Sequence, residues 1–388
     1  MVFTGLLKLV VFLSLAAGTA AQIGLASKDK ARGVVGREQK GIITVDPSTA
    51  DILKSKLTTV IFPIIYIIVF AVGLPTNMMA LWVFIFRTKK KHPAAIYMAN
   101  LALSDILFVV CIPLKIAYHF KENNWTYGEG LCKVLVGFFY GNMYCSILFI
   151  TCLSVQRYWV IAHPLSEQRK NNQIATGVCI AIWIFIWLST TPLYMYKQTA
   201  HINNLNITTC HDVNIIHNIE DPFPDVKHAF IYFMFMGGFV FLVPTLISIV
   251  AYACLLKTLA GSMGDNSVGK SRNKAVVLII TVLVTFLICF IPSNIMLLIH
   301  YYLLKDGNLN NAYGFYITTL CLSSLNSCLD PFIYYFVSED FRDNVRNTLL
   351  CRSNRTVDRM KVSFNSLKYS KKTNTYTSDN SNTQTSNC

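Results

Sequence analysis

"TTVIFPIIYIIVFAVGLPTNMMALWVFIFRTKKKH", residues 58–92, runs from Thr58 to Phe86 without one charged side chain and then meets Arg87, Lys89, Lys90 and Lys91. A helix needs ~20 apolar residues to cross a bilayer, and a basic cluster at one end marks the cytoplasmic side. The same grammar recurs further on. Apolar stretches follow at about 94–120, 129–162, 173–196, 227–259, 272–303 and 313–337. They are rich in Leu, Ile, Val and Phe and far too long for strands, so the expected fold is an all-α membrane protein, a seven-transmembrane helix bundle over 58–338. No repeat of fixed period is visible, which argues against a transporter built from duplicated halves.

Composition agrees. The chain is 53% hydrophobic with only 14% charged residues and a mean hydropathy of +0.45, against roughly 25% charged in soluble domains. The net charge of +14 does not point to nucleic acid, because the basic residues fall in short clusters between apolar runs and form no basic face or arm.

Residues 1–21, "MVFTGLLKLVVFLSLAAGTAA", read as a secretory signal: one Lys, a short apolar core, and Gly18 and Ala20 before the cut. The core is too short for an eighth span. Loop charge then sets the orientation. Arg169 and Lys170 follow span three, while Lys257, Lys270, Arg272 and Lys274 follow span five; the alternate loops carry Asp212, Glu220, Asp221 and Asp225. The first, third and fifth loops and the C-terminal tail are therefore cytoplasmic and the N-terminus extracellular, as expected of a multi-pass plasma-membrane protein. Asn124-Trp-Thr and Asn206-Ile-Thr are glycosylation acceptors in loops assigned outside. Of 12 Cys, Cys132 and Cys210 lie at the oxidising face and form the expected disulfide.

Polar groups within spans are costly and usually functional. Asn77, Asn100, Asp105, Arg157, Asn294, Asn326 and Asp330 are such groups. In a seven-helix bundle Asp105, Ser146, Asn326 and Asp330 face one another, either as a satisfied hydrogen-bond network or as a pocket for a cation such as Na+. Both readings stay open. Pro192, Pro244, Pro292 and Pro331 are hinge candidates.

"GLPTN", "NLALSD", "QRYWVIAHP", Trp183, "CFIPSN" and "DPFIYY" occur in this order and in the corresponding spans. Together they resemble the signature of the rhodopsin-like G-protein-coupled receptors, over about residues 58–351. Within that family "NITTCHDV", "FFYGNMYCSILF", "CLSVQRYWVI" and "FRTKKKHPAAIYMANLALSD" are similar to the proteinase-activated receptors. The chain departs from the wider pattern in three places. Gln156-Arg157-Tyr158 stands for Asp-Arg-Tyr, Asp330-Pro331-x-x-Tyr334 for Asn-Pro-x-x-Tyr, and Phe290 for the usual span-six Trp. The resemblance implies heterotrimeric G-protein coupling through a groove near Arg157, Tyr158, Tyr252 and Tyr334, with Phe290 and Pro292 in the switch.

The tail from Gln22 to Lys56 is polar, with few aromatics, and is expected to be disordered. It contains "DKARGVVGRE", Asp29–Glu38. On composition alone this is a linker with basic residues at Lys28, Lys30, Arg32, Arg37 and Lys40. The resemblance implies more. A trypsin-like serine protease cuts after Arg32, residues 22–32 leave as a propeptide, and Gly33-Val34-Val35-Gly36-Arg37-Glu38 becomes an agonist still tethered within the outer tail, 33–57. Where family members begin with Ser and a larger apolar residue, this chain begins Gly33-Val34. The receiving pocket implied by the resemblance comprises Tyr66, Tyr140, His211, Asp212, His300, Tyr313 and Tyr316, with Asp212 as partner for the Gly33 ammonium or Arg37.

On the cytoplasmic side residues 339–351 alternate Phe341, Val345, Leu349 and Leu350 with Arg342 and Arg346, fitting an amphipathic helix on the inner leaflet. Cys351 is a palmitoylation candidate. The Ser/Thr-rich tail 352–388 is expected to be disordered and open to receptor kinases, with arrestins reading the added charge. An enzyme finds no support: no metal-spaced Cys, nucleophile elbow, phosphate-cradling loop or intramembrane-protease context occurs, and span seven has no Lys for a retinal Schiff base. An ion or proton channel remains the alternative, carried by the intramembrane Asp pair.

Overall fold

Helix one shows how proline shapes this protein. Pro63 and Pro75 each sit in the first turn after a widened, π-helical turn, Leu57–Ile61 and Val69–Gly73. Proline lacks an N–H and its ring crowds the carbonyl four residues back, and a wider turn relieves both. Helix two is interrupted by a turn at Val110–Cys111, with Pro113 opening the segment Ile112–Phe120 just after Pro93–Val109 ends.

The structure is a computed structural model and describes residues 35–39, 42–45, 47–88, 92–162, 168–216, 223–261, 269–305 and 312–350. The signal peptide 1–21, Arg32, Gly33 and Val34, Cys351 and the tail 352–388 lie outside the described residues. Among the described residues six helices are long and apolar enough to cross a membrane: Thr49–Arg87, Pro93–Phe120, Gly128–Ala162, Asn171–Met195, Lys227–Thr258 and Leu283–Leu303. The seventh span is present as two halves, Ala312–Ser323 and Asn326–Val337, joined by a tight turn at Ser324–Leu325. The seven-helix bundle expected from hydropathy is therefore the fold.

Large side chains, among them Tyr118, Tyr140, Tyr144, Tyr334, Phe149, Phe286 and Phe290, are fully buried in the interior. Leu188, Phe86 and Val250 are 60–69% exposed on the outside, a surface that suits lipid and not water. The juxtamembrane helix Glu339–Leu349 is capped by Ser338, which accepts the Phe341 N–H at 3.2 Å. Phe341 stacks on Phe84 of helix one, 4.8 Å between centroids, so this helix is docked by its apolar side, with Leu349 and Leu350 exposed beyond.

Outside the bundle, strands β3 (Thr199–Ile202) and β4 (Ile207–Cys210) form a hairpin. Cys210 is bonded to Cys132 at the start of helix three, as expected. Strands β1 (Val35–Gln39) and β2 (Ile42–Thr44) pair antiparallel, and β1 pairs in parallel with β5 (Asn214–Ile216) of the same outer loop. A helix follows over Pro47–Lys54. The expected disorder of the outer tail does not hold for these segments. Composition undervalued them because their partners lie far away in sequence: the loop supplies backbone to β1 and β2, and Val45 and Leu53 are buried against Ile202.

Candidate functional site

Beneath the outer loop a cleft opens between helices one, two, three and seven. Six of the seven expected pocket residues line it: Tyr66, Tyr140, His211, Asp212, Tyr313 and Tyr316. The seventh, His300, does not line it. Its ring stacks behind Tyr316 at 4.5 Å and 5°, so it supports a wall.

His211 is the keystone of this wall. Its backbone has φ 67°, a left-handed conformation uncommon for any residue with a Cβ. Three hydrogen bonds hold it there. Its N–H donates to the Gln198 carbonyl (2.8 Å), Nδ1 meets Gln198 Oε1 (2.8 Å) and Nε2 meets the Tyr140 hydroxyl (3.0 Å). An amide oxygen only accepts, so Nδ1 carries the proton and Nε2 accepts from Tyr140. Tyr140 in turn accepts from Tyr316 at 2.9 Å. Burial pushes the His211 pKa down to about 4, with Asp212 opposing and Lys115 assisting; the ring is neutral near pH ~7.

Asp212 follows. One carboxylate oxygen accepts from the Tyr118 hydroxyl, the other from Tyr313 at 3.2 Å. Two neutral donors fix its direction without neutralising it, so a half-buried anion is presented to the cleft. Lys115, Tyr118, His119 and Gln198 are functional neighbours missed from the sequence. Lys115 stands 4.9 Å from the Tyr118 ring centre and His119 stacks on Tyr66. The polar tip of "KIAYHF" in an apolar span was the available signal.

Glu129, in the first turn of helix three, positions the loop from below. Its carboxylate accepts the Gln198 and Thr199 N–H groups at 2.7 and 3.0 Å. The outer hairpin is thus tied to helix three by a disulfide and a carboxylate clamp together.

A second polar cluster lies at mid-membrane. Asp105 Oδ1 accepts from Asn142 Nδ2 (2.9 Å) and Ser327 Oγ (2.8 Å), and Asn326 Nδ2 donates to Asp330 Oδ2 (2.9 Å). Asp105 and Asp330 are both fully buried. The expected convergence of Asp105, Asn326 and Asp330 is present, but the helix-three partner of Asp105 is Asn142, one turn before Ser146. Ser146 Oγ, Asp105 Oδ2, Asp330 Oδ1 and Asn326 Oδ1 have no hydrogen-bond partner among the described residues. Asn142 was discoverable as one more amide inside an apolar span. Elsewhere Trp183 Nε1 donates to Asn100 at 2.9 Å, and Asn77 Nδ2 donates to the Ser327 carbonyl at 2.7 Å.

Towards the cytoplasm Phe290 packs on Phe286 at 5.2 Å, and Pro292 lies inside helix six. Arg157 Nε has no partner among the described residues; Tyr158 beside it is half-buried and Tyr252 is buried. Tyr334 is fully buried, edge-on to Phe84 at 5.7 Å and to Phe341 at 6.0 Å. Of the two glycan acceptors, Asn206 is exposed at the hairpin turn, whereas Asn124 Oδ1 accepts the Thr208 N–H at 3.0 Å.

A seven-helix bundle with an outward cleft and a buried polar cluster at mid-membrane fits receptor architecture, and residues 76–334 match the family described as 7 transmembrane receptor (rhodopsin family). Over 375 residues, 93% of this chain and 92% of the relative, it is 53% identical to Proteinase-activated receptor 2 of Mus musculus. It is 55% identical to Proteinase-activated receptor 2 of Homo sapiens over 348 residues (89% and 85%) and 38% identical to Proteinase-activated receptor 1 of Xenopus laevis over 301 (77% and 69%). The chain belongs to the proteinase-activated receptor family of rhodopsin-type, G-protein-coupled receptors.

Proposed function

We propose that this chain is a plasma-membrane receptor, N-terminus outside, activated when a trypsin-like serine protease cuts after Arg32 and the new end, beginning Gly33-Val34-Val35-Gly36-Arg37, docks into the outer cleft of the same molecule. The observation that carries the reading is the register of β1 on β5. Val35 pairs with Asn214, Gly36 with Ile215 and Arg37 with Ile216, so the ligand segment lies beside the loop strand that leaves the cleft just after Asp212.

Scission creates an α-ammonium of pKa ~7.7–8.0, largely charged at neutral pH. Asp212 is the charge partner, in a hydrogen bond between ionised groups. Before the cut that charge is absent and residue 33 carries a bulky peptide. Chemistry, not conformation, sets the switch, and hydrolysis makes it irreversible.

Inward, the signal passes the mid-membrane cluster. Two facing carboxylates disfavour simultaneous ionisation, and a shared proton or a hard cation such as Na+, held by Asp105, Ser146, Asn326 and Asp330, would supply the missing positive charge. Their unpartnered oxygens fit such an ion. Movement of helix six about Pro292 and Phe290 opens the groove at Arg157, Tyr158, Tyr252 and Tyr334 to a G-protein helix. Glycans on Asn124 and Asn206, a lipid on Cys351, kinase phosphorylation of 352–388 and arrestin binding complete the reading.

The test is nucleotide exchange on a heterotrimeric G protein by the purified receptor. Trypsin and the synthetic peptide GVVGRE both drive exchange on the wild type; Arg32→Ala answers the peptide alone. A trypsin response that persists in Arg32→Ala removes this cut site from the mechanism.

A further inference from the structure

We propose that the turn Asn203–Asn204 of the outer hairpin is an intramolecular docking site for the tail, which moves the pivot of the tether from the membrane to residues 42–45. The recognition is of main chain. Asn203 Oδ1 accepts the Ile43 N–H at 2.9 Å, and the Asn203 N–H donates to the Ile43 carbonyl at 2.8 Å. Asn204 repeats the pattern two residues on: Nδ2 donates to the Val45 carbonyl at 2.9 Å and Oδ1 accepts the Val45 N–H at 3.2 Å. Ile43 of β2 and Val45 just after it thus have both backbone groups paired, as a neighbouring strand would pair them. The turn does this with two side chains and the Asn203 N–H.

An apolar plug completes the site. Val45 is buried with Leu53 and Ile202. Asn123 Nδ2, from the first outer loop, donates to the Leu53 carbonyl and to Thr58 Oγ1 (3.1 Å), fixing the other end of the tail helix. The ligand chemistry is an extended peptide with an apolar residue at its third position, and its occupant is this chain's own Ile43–Thr44–Val45.

The consequence rests on the tethered-agonist reading above. With β1 released from β2 and β5, the leash from Gly33 is about 24 residues measured from the start of helix one and about nine measured from Ile42. For a flexible chain local concentration falls roughly as the −3/2 power of length, so the anchor raises it roughly fourfold.

Two measurements test the anchor. Hydrogen exchange on the uncut receptor reads it without any agonist: the Ile43 and Val45 amides are protected in the wild type and lose protection in Asn203→Ala/Asn204→Ala. A Gly/Ser insert of about twenty residues reads it through signalling, with each variant's protease response normalised to its response to free GVVGRE. Between Gln39 and Ile42 the insert reduces the normalised response roughly sixfold; between Val45 and Pro47 it changes nothing, until Asn203→Ala/Asn204→Ala makes it costly. Unprotected Ile43 and Val45 amides in the wild type, or equal losses from the two inserts, overturn the proposal. If free GVVGRE fails on the wild type, the agonist assignment falls while hydrogen exchange still decides the anchor.

Discussion

The outer cleft and the mid-membrane cluster are both built from buried polar side chains, yet they are finished to different degrees. Around the cleft most links are closed: Gln198 to His211, His211 to Tyr140, Tyr140 to Tyr316, and Tyr118 and Tyr313 to Asp212, with His119 Nε2 the exception among its described lining residues. At mid-membrane Asp105, Asp330, Asn326 and Ser146 each leave a buried oxygen without a partner among the described residues. A buried acceptor left unpaired costs roughly 1–3 kcal/mol. The outer network is therefore largely satisfied and presents the Asp212 charge to the cleft, with Lys115 and His119 beside it. The inner network is under-satisfied, and a proton, a cation or a helix shift can improve it. On the proposed function, recognition belongs to the first and switching to the second.

The largest expected effect breaks the outer half of that comparison. Asp212→Asn keeps the shape and removes the charge: one tyrosine still donates to the amide oxygen, the other must turn to accept from the amide nitrogen, and the partner for an ammonium is lost. A charge-assisted hydrogen bond contributes roughly 1.5–3 kcal/mol, which is about ten- to a hundredfold in the potency of GVVGRE. Peptide dose–response on surface-displayed receptor measures it. Equal potencies would assign recognition to the tyrosines instead.

The inner half is tested next by Asn142→Ala. It removes one of the two side-chain donors to Asp105 Oδ1 and is expected to cost roughly 1–3 kcal/mol of stability, read as a fall in Tm of the purified receptor. Binding of labelled GVVGRE should stay within about threefold of wild type. A loss of binding with unchanged Tm would show that the two clusters are one site.

Gln198→Ala sharpens the comparison at a smaller scale. Gln198 reaches the cleft only through His211, whose Nδ1 proton it accepts. Losing one neutral hydrogen bond is worth about 1 kcal/mol, or roughly fivefold in peptide potency. Gln198→Glu keeps an acceptor at the same place and should restore most of it, which a purely structural role for the amide would not predict.

How far these parts could be read from residues alone follows from what each depends on. The spans were legible because ~20 apolar residues in a row have few other fates, and the basic residues after Phe86 set direction without any tertiary knowledge. Asp105, Asp330 and Asn326 were legible for the same reason: polar atoms in an apolar run announce themselves. Asn142, one turn before Ser146 in the same helix, obeys that rule too. The pocket tyrosines came through family resemblance, since an interfacial tyrosine and a pocket tyrosine have the same local pattern. Gln198, Glu129 and the Asn203–Asn204 clamp had no local signal. Their meaning lies in partners 13–160 residues away, and no periodicity carries such information. The tail illustrates the converse, since "IITV" looks too short to fold and is ordered by a loop it meets only in three dimensions.

The smallest effect concerns protons, and the sign decides it. His211 titrates near 4 where an ordinary histidine titrates near 6.5. Between these values the unfolded chain binds a proton that the folded one refuses, so stability rises with pH across the window and is lost as pH falls from about 6.5 towards 4. The structural reason is specific. A proton on Nε2 turns the acceptor of the Tyr140 hydroxyl into a donor, and the bonds from His211 through Tyr140 to Tyr316 must reverse or break. Lowering the pH from ~7 to ~5 should reduce the Tm of wild-type receptor by a few degrees, and His211→Gln should flatten that slope. The mid-membrane cluster offers a control, because its carboxylates lie beyond the reach of this substitution. If His211→Gln keeps the wild-type slope, the acid sensitivity resides in the other buried histidines of the cleft wall, His119 and His300, and not in the Gln198–His211–Tyr140 chain.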